Sequence, residues 1–125
     1  MKKLLLGLGL MLASSLSAQS YLRAETFTLG TRSSEYAPIN WGESNDCSIL
    51  VELYAAKVII HSKVTQTYHI INQTFSSDDM NTWLCKDLNG TTCKFTMMKL
   101  PKYPGFMVCQ VDYNDALWFY ICVQD

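Results

Sequence analysis

Residues 82–98 read TWLCKDLNGTTCKFTMM, and this stretch decides the fold class. Two runs rich in Thr, Trp, Phe and Met flank the turn sequence DLNG, which is the pattern of a β-hairpin. An aspartate at the first position of a type I turn and a glycine in the left-handed position predict a three-residue loop that pairs Asp87 with Thr91. Counting outward from that pair places Cys85 opposite Cys93, whereas a two-residue loop would put these side chains on opposite faces.

The rest of the chain repeats the same kind of segment. Short runs of β-branched and aromatic residues alternate with turn residues, and no long window shows the stripe of an amphipathic helix. The gaps between the later runs are too short for parallel crossovers, so neighbouring strands should be antiparallel. The sequence therefore predicts an all-β fold, an antiparallel meander of about eight strands that forms a small barrel or a strongly curved sheet. The predicted strands are 26–29, 48–54, 57–61, 65–71, 82–87, 92–98, 106–112 and 117–123, with a single helical turn at 76–81.

A second hairpin is predicted near the C-terminus. A four-residue loop at 114–117 would pair Tyr113 with Trp118 and place Cys109 opposite Cys122. Both faces of this hairpin are substantially apolar, so one face would cover the core and the other would be a second packed layer or a binding surface. The first face would carry Cys109, Val111, Tyr113, Trp118, Tyr120 and Cys122.

The chain has five cysteines, and we predict that four of them form disulfides. Small exported domains commonly depend on such bonds. The hairpin registers give the pairs Cys85–Cys93 and Cys109–Cys122 and leave Cys47 unpaired. The alternative is that some of these cysteines are reduced and pack as small hydrophobic residues.

The first residues have the layout of a secretory signal peptide. Lys2 and Lys3 precede the apolar stretch 4–12, and small polar residues follow it. The apolar stretch is shorter than the roughly 20 residues that cross a bilayer. We therefore expect cleavage after Ala18, or alternatively after Ser20, and a single β domain over 19–125. We also expect export to the periplasm or the extracellular space, without stable membrane insertion.

Composition and charge argue against two function classes. Hydrophobic residues make up 49% of the chain, which is too many for a disordered protein. Two of the ten basic residues precede the apolar stretch, which leaves eight against eleven acidic residues and a net charge of about −3. We expect no nucleic-acid partner, because such a partner requires a basic surface.

No catalytic constellation is recognisable, and we expect no catalytic residues, metal site or cofactor. The sequence lacks the motifs of serine hydrolases, zinc proteases and phosphate-binding loops, and it has no C-x₂-C pair. Its paired aspartates lie in or beside turns, where their local hydrogen bonds explain them. The alternative is a small Cys-dependent enzyme or redox protein that uses a thiol near His61 or His69.

The aromatic residues are the most direct indication of a function in this sequence. Tyrosine and tryptophan are enriched at recognition surfaces, and we predict a possible binding surface that includes Tyr103, Tyr113, Trp118 and Tyr120. The competing interpretation is that these residues fill the core, as aromatics do in small β domains. Tyr103 lies in a proline-punctuated loop that would be the contact site of a secreted inhibitor or effector.

The order of segments from Lys57 to Tyr120 is distinctive. KVIIHS precedes TYHII, WLCKDLNGTTCKF follows, and the run ends in VDYNDALWFY. This half of the chain resembles small exported β-sheet proteins of unknown function from Bacteroidetes-type bacteria. The resemblance implies export and a single β-sheet domain, and it implies no activity, cofactor or site residue.

Taken together, these features favour a secreted or periplasmic, non-enzymatic domain that binds a protein, a glycan or a small apolar ligand. Either the barrel interior or an aromatic sheet face would provide the binding surface. An apolar cavity with converging polar groups would favour the small ligand. A flat, exposed aromatic patch would favour a protein or glycan partner.

Overall fold

Nine β-strands in one antiparallel sheet make up the computed structural model, which describes residues 19–124. They are β1 (Gln19–Thr31), β2 (Asn40–Trp41), β3 (Asn45–Tyr54), β4 (Lys57–His61), β5 (Thr65–Ser76), β6 (Met80–Asp87), β7 (Thr92–Lys99), β8 (Phe106–Asp112) and β9 (Ala116–Gln124). Within this range there is no helix, and hence none that is long and apolar enough to cross a membrane. The predicted signal segment, 1–18, lies outside the described residues.

The first and last strands pair with each other and close the sheet into a barrel. Eight strands follow one another in chain order, and β1 pairs with β9 over nearly its whole length. The short β2 pairs with the end of β1, beyond the part that pairs with β3. Because its first residues pair with the end of β3, β1 starts at Gln19, well before the predicted 26–29. The predicted antiparallel meander forming a small barrel is confirmed.

The hairpin between β6 and β7 has the predicted loop and register. The Asp87 N–H donates to the Thr91 carbonyl at 2.9 Å, and the Gly90 N–H donates to the Asp87 carbonyl at 3.0 Å. Gly90 has a φ of +84°, a conformation that glycine adopts without a Cβ penalty. Cys85 pairs with Cys93, so the turn chemistry sets the register of both strands.

The hairpin between β8 and β9 differs from its prediction. Its loop contains two residues, Asn114 and Asp115, because the Tyr113 N–H donates to the Ala116 carbonyl at 2.9 Å. Asn114 takes the left-handed conformation with a φ of 76°, which asparagine tolerates better than most residues. The predicted four-residue loop is therefore wrong, and the register differs by two residues. Since side chains alternate with a period of two, this even shift leaves each residue on its predicted face.

The segment predicted as a helical turn, 76–81, belongs instead to a tight hairpin between β5 and β6. β5 continues to Ser76 and β6 begins at Met80. The Ser77 hydroxyl accepts the Met80 N–H at 3.1 Å, and the Ser77 N–H donates to the Met80 carbonyl at 2.8 Å. A serine hydroxyl accepts backbone N–H groups both in helix caps and in turns. Because β5 and β6 pair up to Ser76 and Asn81, Ser77 lies in a turn and the helical prediction is wrong.

Inward-facing side chains fill the barrel. Trp83, Tyr120 and Phe95 are the largest fully buried residues, and the Trp83 and Phe95 ring centroids lie 6.1 Å apart. An eight-stranded barrel is just wide enough for side chains to fill it. The rest of this core comprises Leu22, Ala24, Val51, Leu53, Val58, Ile60, Tyr68, Cys85, Cys93, Met97, Met107, Cys109, Val111 and Cys122.

The five cysteines are free thiols, so neither predicted disulfide is present. Cys85 and Cys93 lie opposite each other as predicted, but no bond joins them. Cys109 and Cys122 occupy diagonal rather than opposite positions, because the β8–β9 loop is shorter than predicted. Cys47, predicted to be unpaired, is half-buried. In this structure the cysteines behave as small hydrophobic core residues, which was the alternative interpretation.

Candidate functional site

Three turns meet at one end of the barrel and surround an open pocket of about 570 Å³, which we call the mouth pocket. They are the β4–β5, β6–β7 and β8–β9 turns, which lie at the same rim because alternate turns of a meander do so. The pocket is lined by Val64, Thr65, Gln66, Thr67, Tyr68, Asp87, Leu88, Asn89, Tyr113, Asp115, Ala116 and Trp118.

Three aromatic rings form one wall of the mouth pocket. The centroids of Tyr68 and Tyr113 lie 6.5 Å apart at an interplanar angle of 58°. Tyr113 and Trp118 meet edge to face, with centroids 5.7 Å apart. Edge-to-face contacts are favourable because the positive edge of one ring meets the negative face of the other. Each ring therefore supports the next.

Asp87 connects this wall to the β6–β7 turn. Its Oδ2 accepts the Tyr113 hydroxyl at 2.7 Å, and its Oδ1 accepts the backbone N–H groups of Asn89 and Thr91, each at 2.9 Å. The hydrogen bond from Tyr113, followed by that from Thr91, lowers the pKa of Asp87. Burial and then the bond to Asp87 raise the pKa of Tyr113. At neutral pH the pair is thus a carboxylate and an un-ionised phenol.

A chain of hydrogen bonds joins the aromatic wall to the β4–β5 turn. The Tyr68 hydroxyl donates to Gln66 Oε1 at 2.5 Å, and Gln66 Nε2 donates to Ser62 Oγ at 3.1 Å. Ser62 Oγ in turn donates to the Val64 carbonyl at 2.7 Å. Burial raises the pKa of Tyr68 to about 12, so this hydroxyl stays protonated. The polar groups around the pocket are therefore fixed by the protein itself.

An ion pair outside the mouth pocket holds the β8–β9 turn in place. Arg32 Nη2 lies 3.0 Å from Asp112 Oδ1, and the Arg32 Nε donates to the Asn114 carbonyl. The Arg32 backbone N–H donates to the Asp115 carbonyl at 3.0 Å. These bonds fasten the segment after β1 to the β8–β9 turn, so they fix the position of the turn at the pocket edge.

We expect Asp87→Asn to destabilise the protein at neutral pH and to flatten the dependence of its stability on acid. Because the folded-state pKa of Asp87 is lowered, its ionised form adds stability above about pH 4, and this contribution is lost as the pH falls through the folded pKa. Thermal unfolding of both proteins from neutral to strongly acidic pH tests this expectation. The difference in Tm should shrink toward acid.

Asp78→Asn is the matched control, because Asp78 is exposed in the β5–β6 turn. This control should unfold like the wild type over the whole pH range. If Asp87→Asn instead lowered Tm by the same amount at every pH, the ionised carboxylate would not be the source of its contribution.

The structure separates the four aromatics predicted to share a binding surface. Tyr113 and Trp118 lie together at the mouth pocket. Tyr120 is 1% exposed in the core and stacks on Phe27, with centroids 6.2 Å apart. Tyr103 is 61% exposed in the β7–β8 turn, at the other end of the barrel.

Sequence reasoning missed Tyr68 and Gln66, and it recognised Asp87 only as a turn residue. Gln66 and Tyr68 are two residues apart on β5, so alternation puts both on the inner face. That signal was present in the sequence. The sequence does not give the order of the strands around the barrel, which brings the start of β5 to the β8–β9 turn.

Both histidines lie on the outside of the barrel, away from the buried thiols. His61 and His69 are exposed, and His61 Nε2 bonds to Glu52. Burial raises the pKa of Cys85 to about 12 and that of Cys93 to about 11, whereas a catalytic thiol requires a lowered pKa. Across residues 19–124 there is also no group of three or more His, Cys, Asp or Glu side chains that could hold a metal ion.

A second, smaller pocket lies on the outer surface beside β2. Its volume is about 350 Å³, and Thr28, Trp41 and Phe119 line it. Trp41 and Phe119 meet edge to face at 5.6 Å between centroids. Gly30 allows this packing, because a Cβ there would stand 2.8 Å from the Trp41 ring. This pocket lacks the converging polar groups of the mouth pocket.

Protein-family models, curated proteins and solved structures were each compared with the chain, and none of the three comparisons gives a match.

Proposed function

We propose that this chain is an exported, non-enzymatic protein that binds a small ligand in the mouth pocket. The observation that carries the proposal is the pocket itself, an aromatic wall faced by a few fixed polar groups at one end of a closed barrel. Small-molecule sites are typically concave and mostly apolar, with a small number of polar groups that orient the ligand.

The volume of the mouth pocket favours a small molecule over a protein or a glycan chain. About 570 Å³ falls within the range of about 300–1,000 Å³ that is usual for ligand pockets. A protein partner would need a broad contact surface of about 800 Å² on this side. A concave site between three turns suits a compact ligand better.

The hydrogen bonds already present support the same proposal. Tyr113 and Tyr68 are each held by a protein acceptor, so a ligand would not have to order these side chains on binding. Ordering a mobile side chain costs about 0.5–1.5 kcal/mol of binding free energy. A site prepared in this way retains more of the affinity that its contacts provide.

Export rests on the N-terminal sequence, Lys2 and Lys3 followed by the apolar stretch 4–12, and on the resemblance to exported Bacteroidetes-type proteins. An exported chain enters an oxidising compartment, where exposed thiols usually pair. Four of the five thiols are buried in the folded barrel, and burial raises the pKa of Cys85 to about 12. Once folded, the chain therefore protects these four thiols from oxidation.

The test uses the three tryptophans as reporters. Trp118 lies at the mouth, Trp41 on the outer surface and Trp83 in the core, so their indole N–H signals report on three different places in an NMR spectrum. Titrating a general fragment library should give compounds that shift the Trp118 signal and leave the Trp41 signal unchanged. Trp118→Ala, which lacks this reporter and is therefore measured by isothermal titration calorimetry beside the wild type, should weaken the binding of those compounds about tenfold, through loss of one aromatic contact.

Tyr103→Ala is the control variant, because Tyr103 is exposed at the opposite end of the barrel. It should bind the same compounds as the wild type, because a change at the opposite end of the barrel leaves the mouth pocket intact. If no fragment moved the Trp118 signal, or if the compounds bound equally well to Trp118→Ala, the mouth pocket would not be the binding site.

A further inference from the structure

The charged side chains that line the mouth pocket have a single sign. Among residues 19–124, the charged side chains that line it are Asp87 and Asp115, and neither a lysine nor an arginine lines it; Lys63, in the β4–β5 turn, is exposed and is not among the lining residues. Arg32, a basic residue at this rim, is bonded to Asp112 and to the Asn114 carbonyl. Its charge is therefore already balanced by Asp112, and the pocket remains negative.

Asp87 and Asp115 play different parts. Both oxygens of Asp87 already accept hydrogen bonds, from two backbone N–H groups and from Tyr113. Asp115 is exposed, and its carboxylate makes no hydrogen bond or ion pair within residues 19–124. Asp115 is therefore available to pair with a positive group. Asp87, which is hydrogen-bonded to Tyr113 of the aromatic wall, adds to the negative potential of the pocket.

The aromatic wall favours the same sign of ligand. The faces of tyrosine and tryptophan rings are electron-rich and attract cations within about 6 Å of the ring centre. The Tyr113 hydroxyl donates to a carboxylate at 2.7 Å, which shifts electron density toward its oxygen and ring. An anion at this place would meet two carboxylates and, among the described residues that line the pocket, no cationic side chain.

We infer that the ligand of the mouth pocket is an organic cation, with an ammonium head on a compact apolar body. The ammonium group lies against the Tyr113 and Trp118 rings with Asp115 as its counter-ion. The apolar body contacts Val64 and Leu88, which are 73% and 69% exposed at the pocket edge. This inference rests on the proposed function, because it specifies the chemistry of the same site.

The test compares three probes of similar shape that differ in charge, a cation, a neutral molecule and an anion. They are choline, its neutral carbon analogue 3,3-dimethyl-1-butanol, and the anion 3,3-dimethylbutanoate, each titrated at low salt while the Trp118 indole signal is followed. We expect choline to bind about tenfold more tightly than the neutral analogue and the anion to leave the signal unchanged. Added salt should weaken choline binding and not that of the neutral analogue.

Asp115→Asn should weaken choline about two- to fivefold and leave the neutral analogue unaffected, because an exposed ion pair contributes modestly. Asp78→Asn, at the opposite end of the barrel, is the matched control and should change neither. Asp115 belongs to an exposed turn, so its replacement by the isosteric amide leaves the fold intact.

The outcomes separate this inference from the proposed function. Equal binding of choline and its neutral analogue at Trp118, or a fragment screen whose Trp118 compounds are mainly neutral or anionic, would overturn the cation inference and leave the mouth pocket as the site. The absence of any compound that moves the Trp118 signal would overturn both.

Discussion

Replacing Trp83 with alanine is expected to lower the free energy of unfolding by about 3–5 kcal/mol. Trp83 is 1% exposed and is among the largest side chains that fill the barrel, where its ring packs against Phe95. Removing it leaves a cavity, and the hydrogen-bonded wall of a closed barrel has little freedom to collapse into it. Chemical denaturation of the two proteins, followed by circular dichroism, measures the difference.

Two further variants make this prediction specific. The Trp83 Nε1 is buried without a hydrogen-bond partner within the described part of the chain, and an unmet buried donor costs about 1–3 kcal/mol. Trp83→Phe removes that donor and keeps an aromatic ring, so we expect it to cost much less than the alanine variant. Trp41→Ala, at a residue that is 47% exposed, should cost least. Equal losses for Trp83→Ala and Trp41→Ala would refute this account of the core.

In the folded protein, Cys85 is expected to react with iodoacetamide roughly a thousandfold more slowly than in the unfolded chain. Burial raises its pKa from 9.0 to about 12, which reduces the reactive thiolate by that factor, and restricted access slows the reaction further. For Cys93 the pKa rises to about 11, and the expected slowing is roughly a hundredfold. Peptide mass mapping after timed labelling measures each rate separately.

Cys47 serves as the internal control, because it is the one cysteine that is only half-buried, and it should be labelled first. The unfolded chain, labelled without reductant, should take up five alkyl groups, one for each free thiol. Fewer than five would reveal a disulfide and would restore one of the pairs that the sequence suggested. Equal labelling of Cys85 in the folded and unfolded states would contradict its burial.

The sequence predicts the fold well where the residues of a turn specify its type and length. At the β6–β7 turn, Asp87 and Gly90 together specify a three-residue loop, and this loop sets the register of β6 and β7. At the β8–β9 turn, the decisive residue is Asn114, whose left-handed conformation closes a two-residue loop. Asparagine occurs in many turn types, so its presence alone does not distinguish that loop from a longer one.

The candidate site is harder to predict because it depends on strands that are distant in the chain. Tyr113 and Trp118 flank one turn, and the sequence already places them on one face. Tyr68 reaches them only because the sheet curves through the strands β5 to β9 and closes, which brings β5 near the β8–β9 turn. Asp87 has a full local explanation as a turn residue, so its second role, as acceptor for Tyr113, is visible only in the structure.

The pairing of β1 with β9 also decides when the chain can fold during its synthesis. Of the nine strands, β1 is made first and β9 is made last, and β9 closes the barrel and places Tyr120 and Cys122 in its core. Until then β1 and β8 each present an unpaired edge, and contacts between the ends of a chain form slowly. Closure of the barrel therefore waits for the strand that is made last, whereas hairpins such as β6–β7 have both of their strands available earlier.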